Sequence, residues 1–254
     1  MAITANLPVR LPLLFGLLLS GLAPALAAAP CPAEPPPPAL HLPHLRAALQ
    51  RGAEAVVVAL GSSSTAGAMA SDPAHSYPAE LQAALEHALP RMHIAVLNRG
   101  IGGQDAPEEL ARMEADAIAV RPQLVIWQVG ANGALHDADP VAFGRMVTQG
   151  VYELEEAGID VILMDNQHSP RIDASPDNAL LDAVLAQVAD ATGTGLFSRA
   201  SLMTAWDQEG APEHAFIAAD GLHHNDLGYA CVAHALADAI LDRLHETRAL
   251  SASR

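Results

Sequence analysis

The chain has 254 residues, with 13 Lys+Arg against 29 Asp+Glu and a formal charge of −16. Every one of those cations is arginine, and the absence of lysine excludes a P-loop phosphate grip, Schiff-base catalysis and a Ser-Lys dyad. The acidic balance disfavours nucleic acid as a partner, and 51% hydrophobic against 17% charged residues is the composition of a chain that folds around a core.

In chain order, the first element is an export signal over residues 1–27. Arg10 precedes the apolar run Leu11 to Leu19, and Ala25-Leu26-Ala27 supplies small residues for cleavage. Gly16, Gly21 and Pro24 interrupt the stretch, which is short for a membrane span. Cleavage leaves the remainder one unit more acidic, periplasmic or secreted, with no later segment of transmembrane length. Residues 28–44 form a Pro-rich leader and 45–250 a single domain. Two cysteines outlast cleavage, Cys31 and Cys231. An oxidising compartment permits a disulfide between them; the alternative is a small buried apolar residue at 231 and a spare thiol at 31.

Within the domain, apolar runs alternate with helix-period segments. Strands are expected at Ala55–Leu60, Ile94–Leu97, Leu124–Val129, Val161–Met164 and, more weakly, Gly195–Phe197. Helices are expected at about Tyr77–Leu89, Pro107–Val120, Pro140–Ala157, Pro176–Ala191 and Asp226–His245. The strands are near-continuously apolar, as when helices cover both faces of a parallel sheet. The fold class is therefore α/β, a single doubly wound, flavodoxin-like parallel sheet of about five strands, and ligands belong beyond the carboxyl ends of its strands.

Those strand ends carry the polar and glycine-rich motifs. Gly61-Ser62-Ser63-Ser64-Thr65-Ala66-Gly67 follows the first strand and reads equally as an anion cradle, a polar turn or a nucleophile turn. Asn98-Arg99-Gly100-Ile101-Gly102-Gly103 follows the second, and Gly130-Ala131-Asn132-Gly133 the third. Asp220-Gly221-Leu222-His223 precedes the last helix, a spacing at which one carboxylate can orient an imidazole.

Taken in order, these motifs resemble the SGNH (GDSL-type) hydrolase superfamily from about Glu54 to Asp238. The family's G-D-S falls on Gly61-Ser62-Ser63, its N-x-x-x-x-G on Asn98 to Gly103, its G-x-N on Gly130-Ala131-Asn132 and its D-G-x-H on Asp220 to His223. The resemblance implies Ser63 as nucleophile, His223 as base and Asp220 as its orienting acid. It also implies an oxyanion hole of Ser63, Gly103 and Asn132, with no metal or organic cofactor. Two positions depart from the pattern. Ser62 stands where the family has Asp, which leaves Ser62 or Ser64 to brace the loop and makes both fallback nucleophiles; Gly133 stands where an Asp commonly follows the Asn, widening or loosening the pocket.

The implied activity is an exported ester hydrolase, a carbohydrate deacetylase or short-acyl esterase. An acyltransferase on the same residues and a non-catalytic binding protein on this scaffold are the alternatives. The substrate is a small-molecule or acylated carbohydrate ester, and the negative field favours a neutral one. His168, His214 and His224 are expected to be exposed loop histidines, the alternative being a metal site with His223. Asp165 and Gln167 line the pocket or cap the following turn. Trp206, Phe197 and Phe216 wall an acyl pocket or pack the loop. Arg99 meets an acidic substrate or forms a surface ion pair.

Overall fold

A computed structural model describes Met1, residues 31–33 and residues 35–252, with side chains through His245. The expected export signal lies outside the described residues, apart from Met1. In chain order the elements are α1 (Pro43–Gln50), β1 (Ala55–Gly61), α2 (Ser63–Ala66), α3 (Tyr77–Ala88), β2 (Ile94–Gly100), α4 (Ala106–Asp116), β3 (Leu124–Gln128), α5 (Ala131–Leu135), α6 (Pro140–Glu156), β4 (Asp160–Met164), α7 (Pro170–Asp173), α8 (Asn178–Thr192), β5 (Gly195–Phe197), α9 (Arg199–Gln208) and α10 (Asp226–Ala252). Short 3-10 turns lie at Pro73–His75, Ile118–Val120 and Glu213–Ala215.

The five strands form one parallel sheet in the order β2-β1-β3-β4-β5. Successive strand residues point to opposite faces, and here both faces are apolar. Val57 and Ala59 of β1, Leu124 and Ile126 of β3, and Ile162 and Met164 of β4 face a core completed by α1, α3, α9 and α10. Their neighbours Val58, Leu60, Val125, Trp127, Val161 and Leu163 face a second core completed by α4, α6 and α8. The doubly wound parallel sheet read from the sequence is thus present, and all five strands lie where the apolar runs put them.

The differences are local. Residues 107–120, read as one helix, are α4 followed by a separate 3-10 turn. Between them, Ala117 caps α4 and Arg121 closes the turn at φ 55. Helices α1 and α9 were not foreseen. Helix α1 starts at a favoured first-turn proline, Pro43, within the stretch read as leader; Leu40 and Leu42 just before it are buried. Helix α9 lies on a stretch read only as loop, yet it buries Leu202, Met203 and Trp206. No described helix is long and apolar enough to cross a membrane.

Cys31 and Cys231 are joined, with Cα atoms 5.4 Å apart and 200 positions between them in sequence. The bond fastens the described N-terminal residues to α10, close to α3. A crosslink across so long a loop stabilises chiefly by restricting the unfolded chain, by roughly 2–5 kcal/mol. Replacing Cys31 with Ser should lower the melting temperature by roughly 5–15 °C, and reductant should lower that of wild type comparably. An unchanged melting curve for Cys31→Ser would show that the bond adds no stability.

Candidate functional site

Parallel pairing brings the ends of β1, β2 and β3 to one edge of the sheet, and the motif residues collect there. Gly61, Ser62 and Ser63 pass from β1 directly into α2, with Ser63 its first residue. The turn is tight because Gly100 admits it: a Cβ at Gly100 would sit 2.1 Å from the Ala66 nitrogen. Ser63 is half-buried, whereas Ser62 and Ser64 are 2% exposed.

Ser63 Oγ lies 2.7 Å from His223 Nε2, and His223 Nδ1 lies 2.6 Å from Asp220 Oδ2. The second carboxylate oxygen, Oδ1, accepts from the amides of Leu222 and His223 at 3.0 and 3.1 Å. Burial alone would raise the Asp220 pKa, but the bonds from the His223 ring and from these two amides outweigh it and hold the group below its ordinary value. Asp220 is therefore charged at neutral pH and favours the tautomer with the proton on His223 Nδ1, leaving Nε2 as acceptor toward Ser63. A hydroxyl so placed can pass its proton to the ring as it attacks an electrophile.

The loop after β2 lies over Ser63. A Cβ on Gly102 would be 3.8 Å from that of Ser63, and Gly103 takes φ +80, a conformation suited to glycine. The amides of Ser63 and Gly103 have no partner among the described residues. Asn132, in α5, gives one side-chain N–H to the Gln104 carbonyl at 2.7 Å. A carbonyl only accepts, so this bond fixes which end of the amide is nitrogen and leaves a second N–H unused.

Both departures from the motif pattern have local compensation. Gln128, at the end of β3, accepts at Oε1 from Ser62 N, Ser62 Oγ and Thr65 Oγ1, each at 3.2 Å. Ser62 is therefore braced by Gln128 and does no bracing of its own. Its burial, like that of Ser64, removes both as fallback nucleophiles. At Gly133 the pocket is not widened: a Cβ there would meet Ala138, Asp105 Oδ1 and Leu181 at 3.2–3.3 Å. The Asp105 carboxylate fills the space from the neighbouring loop, accepting from the Ala106 amide and forming a capping box with Glu108 at the start of α4.

Arg112 of α4 ties the loops together. It donates from Nη2 to Gly61 O at 2.9 Å, from Nη1 to Arg99 O at 2.8 Å, and from Nε to Gln104 Oε1 at 2.5 Å. Neither Gln128 nor Arg112 belongs to a motif. A glutamine ending an otherwise apolar buried strand was the one available signal for Gln128, and nothing in the sequence distinguishes Arg112 from other helix arginines.

The remaining polar residues divide clearly. Asp165 supports the start of α9, accepting from the hydroxyl of its cap Ser198 and from the Arg199 and Ala200 amides. Gln167 donates to Leu222 O at 2.7 Å, steadying the turn that carries His223. Trp206, Phe197 and Phe216 are buried in the core, so they pack and do not wall a pocket. Arg99 donates to the Asp116 carbonyl at 3.4 Å. His168 lies between Asp173 and Thr204, and His214 is exposed. His224 is not an exposed loop histidine: it is fully buried beside the Phe216 carbonyl and the Tyr229 ring. Burial, reinforced by the Arg199 charge, pushes its pKa down to about 3, so it is neutral. Among the described residues no cluster of His, Cys, Asp and Glu could hold a metal.

A family model described as the Non-GDSL lipase-like family matches residues 28–246. Among solved structures, the chain is similar to a two-domain esterase active on acetylated mannans, with a TM-score of 0.68 and 24% identity. That match covers 80% of this chain and 54% of the esterase, so the chain spans about half of its length. It is also similar to a lipase/acylhydrolase from Enterococcus faecalis, with a TM-score of 0.63 and 22% identity over 74% of this chain and 96% of the other. An acetylxylan esterase from Geobacillus stearothermophilus gives a TM-score of 0.61 and 20% identity, over 75% and 94%. No curated protein sequence matches the chain.

One residue before Gln128, Trp127 Nε1 donates to Glu109 Oε2 at 2.8 Å. Burial pushes the Glu109 carboxyl up to about 8 despite that bond. Unfolded, the group loses its proton near 4.5; folded, it keeps it to about 8. Between those values the folded state binds more protons, so stability is fully present below about 4.5 and is lost as pH rises toward 8. Glu109→Gln should flatten the fall in melting temperature across that window. Identical slopes for variant and wild type would show that Glu109 is already ionised in the folded state.

Proposed function

Because the chain belongs to the Non-GDSL lipase-like family, within the SGNH (GDSL-type) superfamily, we propose that it is an exported serine hydrolase of carboxylic esters. Ser63 is the nucleophile, His223 the base and Asp220 its orienting acid. The observation that carries this reading is the pair of hydrogen bonds joining the three, 2.7 Å from Ser63 to His223 and 2.6 Å from His223 to Asp220.

In the first step Ser63 Oγ attacks the ester carbonyl carbon while its proton passes to His223 Nε2. The negative charge that gathers on the carbonyl oxygen is met by the Ser63 and Gly103 amides and the free N–H of Asn132. Collapse of this intermediate expels the alcohol, which takes the proton from His223. Water then attacks the acyl-enzyme with His223 again as base, releasing the acid and restoring Ser63. Asp220 stays ionised throughout and stabilises the imidazolium. These steps draw on side chains and amides alone.

The substrate class we propose is the acetylated carbohydrate, with short-acyl esters as the simplest surrogates. Two of the similar structures act on acetylated mannan or xylan by their descriptions. The chain's charge of −16 favours neutral acetylated glycans over polyanions. Export agrees with the Cys31–Cys231 bond, which persists in oxidising compartments.

A fluorophosphonate probe should label wild type at Ser63 and leave Ser63→Ala unlabelled. Across p-nitrophenyl esters from acetate to palmitate, acetate should be cleaved fastest, and Ser63→Ala should lose nearly all activity. Equal hydrolysis by wild type and Ser63→Ala at every chain length would eliminate Ser63 as nucleophile. Asp220→Asn should lower kcat by about 10³–10⁴; a fall below tenfold would remove Asp220 from its assigned role.

A further inference from the structure

The geometry points to Gln128 as a positioning residue for the nucleophile turn, holding the Ser62–Ser63 peptide so that the Ser63 amide faces the developing oxyanion. This inference rests on the hydrolase reading above and concerns a residue outside its motifs. Gln128 is fully buried. The Ser62 backbone N–H, 3.2 Å away, can only donate, so the side-chain oxygen must face it. That same oxygen receives the hydroxyls of Ser62 and Thr65. Nε2 has no hydrogen-bond partner among the described residues. An unsatisfied buried N–H₂ is costly, of order 1–3 kcal/mol, so the oxygen's three bonds hold the side chain in place against that penalty.

The consequence for Ser63 is geometric. Ser62 precedes α2 where a serine ordinarily caps the helix with its own hydroxyl, yet no such bond forms. Its hydroxyl and its amide both go to Gln128 instead. Ser62 thereby takes φ −96 and ψ −144, and that ψ sets the plane of the next peptide and the direction of the Ser63 N–H. Gln128 is itself fixed by β3, whose residue Trp127 pairs with Leu60 of β1. A rigid strand thus presents the acceptor, and the turn conforms to it. In the absence of the Asp that the family motif places at position 62, the brace comes from across the sheet.

The test uses full-length protein. Gln128→Met keeps length and burial but removes the acceptor; Gln128→Glu keeps an oxygen in place. Wild-type labelling by fluorophosphonate at Ser63 is the control, and its failure would overturn the hydrolase reading and this inference with it. Given that control, Gln128→Met should lower kcat on p-nitrophenyl acetate by about 10²-fold. KM should stay within about twofold, and the labelling rate should fall in parallel. Gln128→Glu should recover most of the loss. A Gln128→Met enzyme within threefold of wild-type kcat, whatever its melting temperature, would show a merely structural role. A Gln128→Glu enzyme as slow as Gln128→Met would show that the acceptor is not what matters; either result overturns the inference while leaving the hydrolase reading intact. Should Gln128→Met fail to fold, Gln128→Asn, which draws the acceptor back by one methylene, takes its place with the same expected loss and the same threshold.

Discussion

Parallel pairing of β1 with both β2 and β3 is the constraint on which the site depends. In a parallel sheet every strand releases its chain at the same edge. Gly61 pairs with Gly100 and Leu60 with Trp127, so the Ser62–Ser63 turn, the glycine loop and Gln128 emerge side by side. What the pairing leaves open is the direction in which each loop leaves, and there Arg112, Asp105 and Gln128 act, each spanning two or three of the loops.

The same edge concentrates buried polar groups that the apolar interior would otherwise expel. Burial raises Asp165 to about 6 and, together with the neighbouring Asp165 charge, Asp182 to about 7, while Arg199 is lowered within the same cluster. Asp165 and Arg199 are joined directly, the Arg199 amide donating to Asp165 Oδ1 at 2.6 Å and its Nε to the Asp165 carbonyl at 2.8 Å. Asp220 behaves oppositely, because it is partly exposed and receives two amides and a ring N–H. Asp220 and Asp165 are thus shifted in opposite directions, the first by its donors and the second by burial.

How much of this was legible in the sequence follows from which contacts are local. Near-continuous apolar runs announce strands, and the Asp220-to-His223 spacing closes within one turn, so both could be read directly. Gln128 touches Ser62 across 66 positions and Arg112 touches Gly61 across 51. No periodicity encodes such pairings, and only the folded sheet reveals them. Gly133 misled for a related reason: its missing carboxylate is replaced in space by Asp105, which stands 28 positions earlier in the chain. His224 was misread because its neighbour His223 belongs to an open turn, while the adjacent side chain points into the core. Helix α9 was read as loop although Ser198 caps it locally and Leu202, Met203 and Trp206 recur at helical spacing, so a signal was present there.

The Cys31–Cys231 bond has a topological consequence besides its energetic one. Every strand, every motif loop and the first turns of α10 lie between the two cysteines. Covalently, residues 31–231 form a closed ring. A single backbone cut in any surface loop between residues 31 and 231 opens that ring without releasing a fragment. The halves of the sheet stay tethered and free to re-pair. The first cut is then a survivable event, and only a second cut or loss of the bond separates Ser63 from His223.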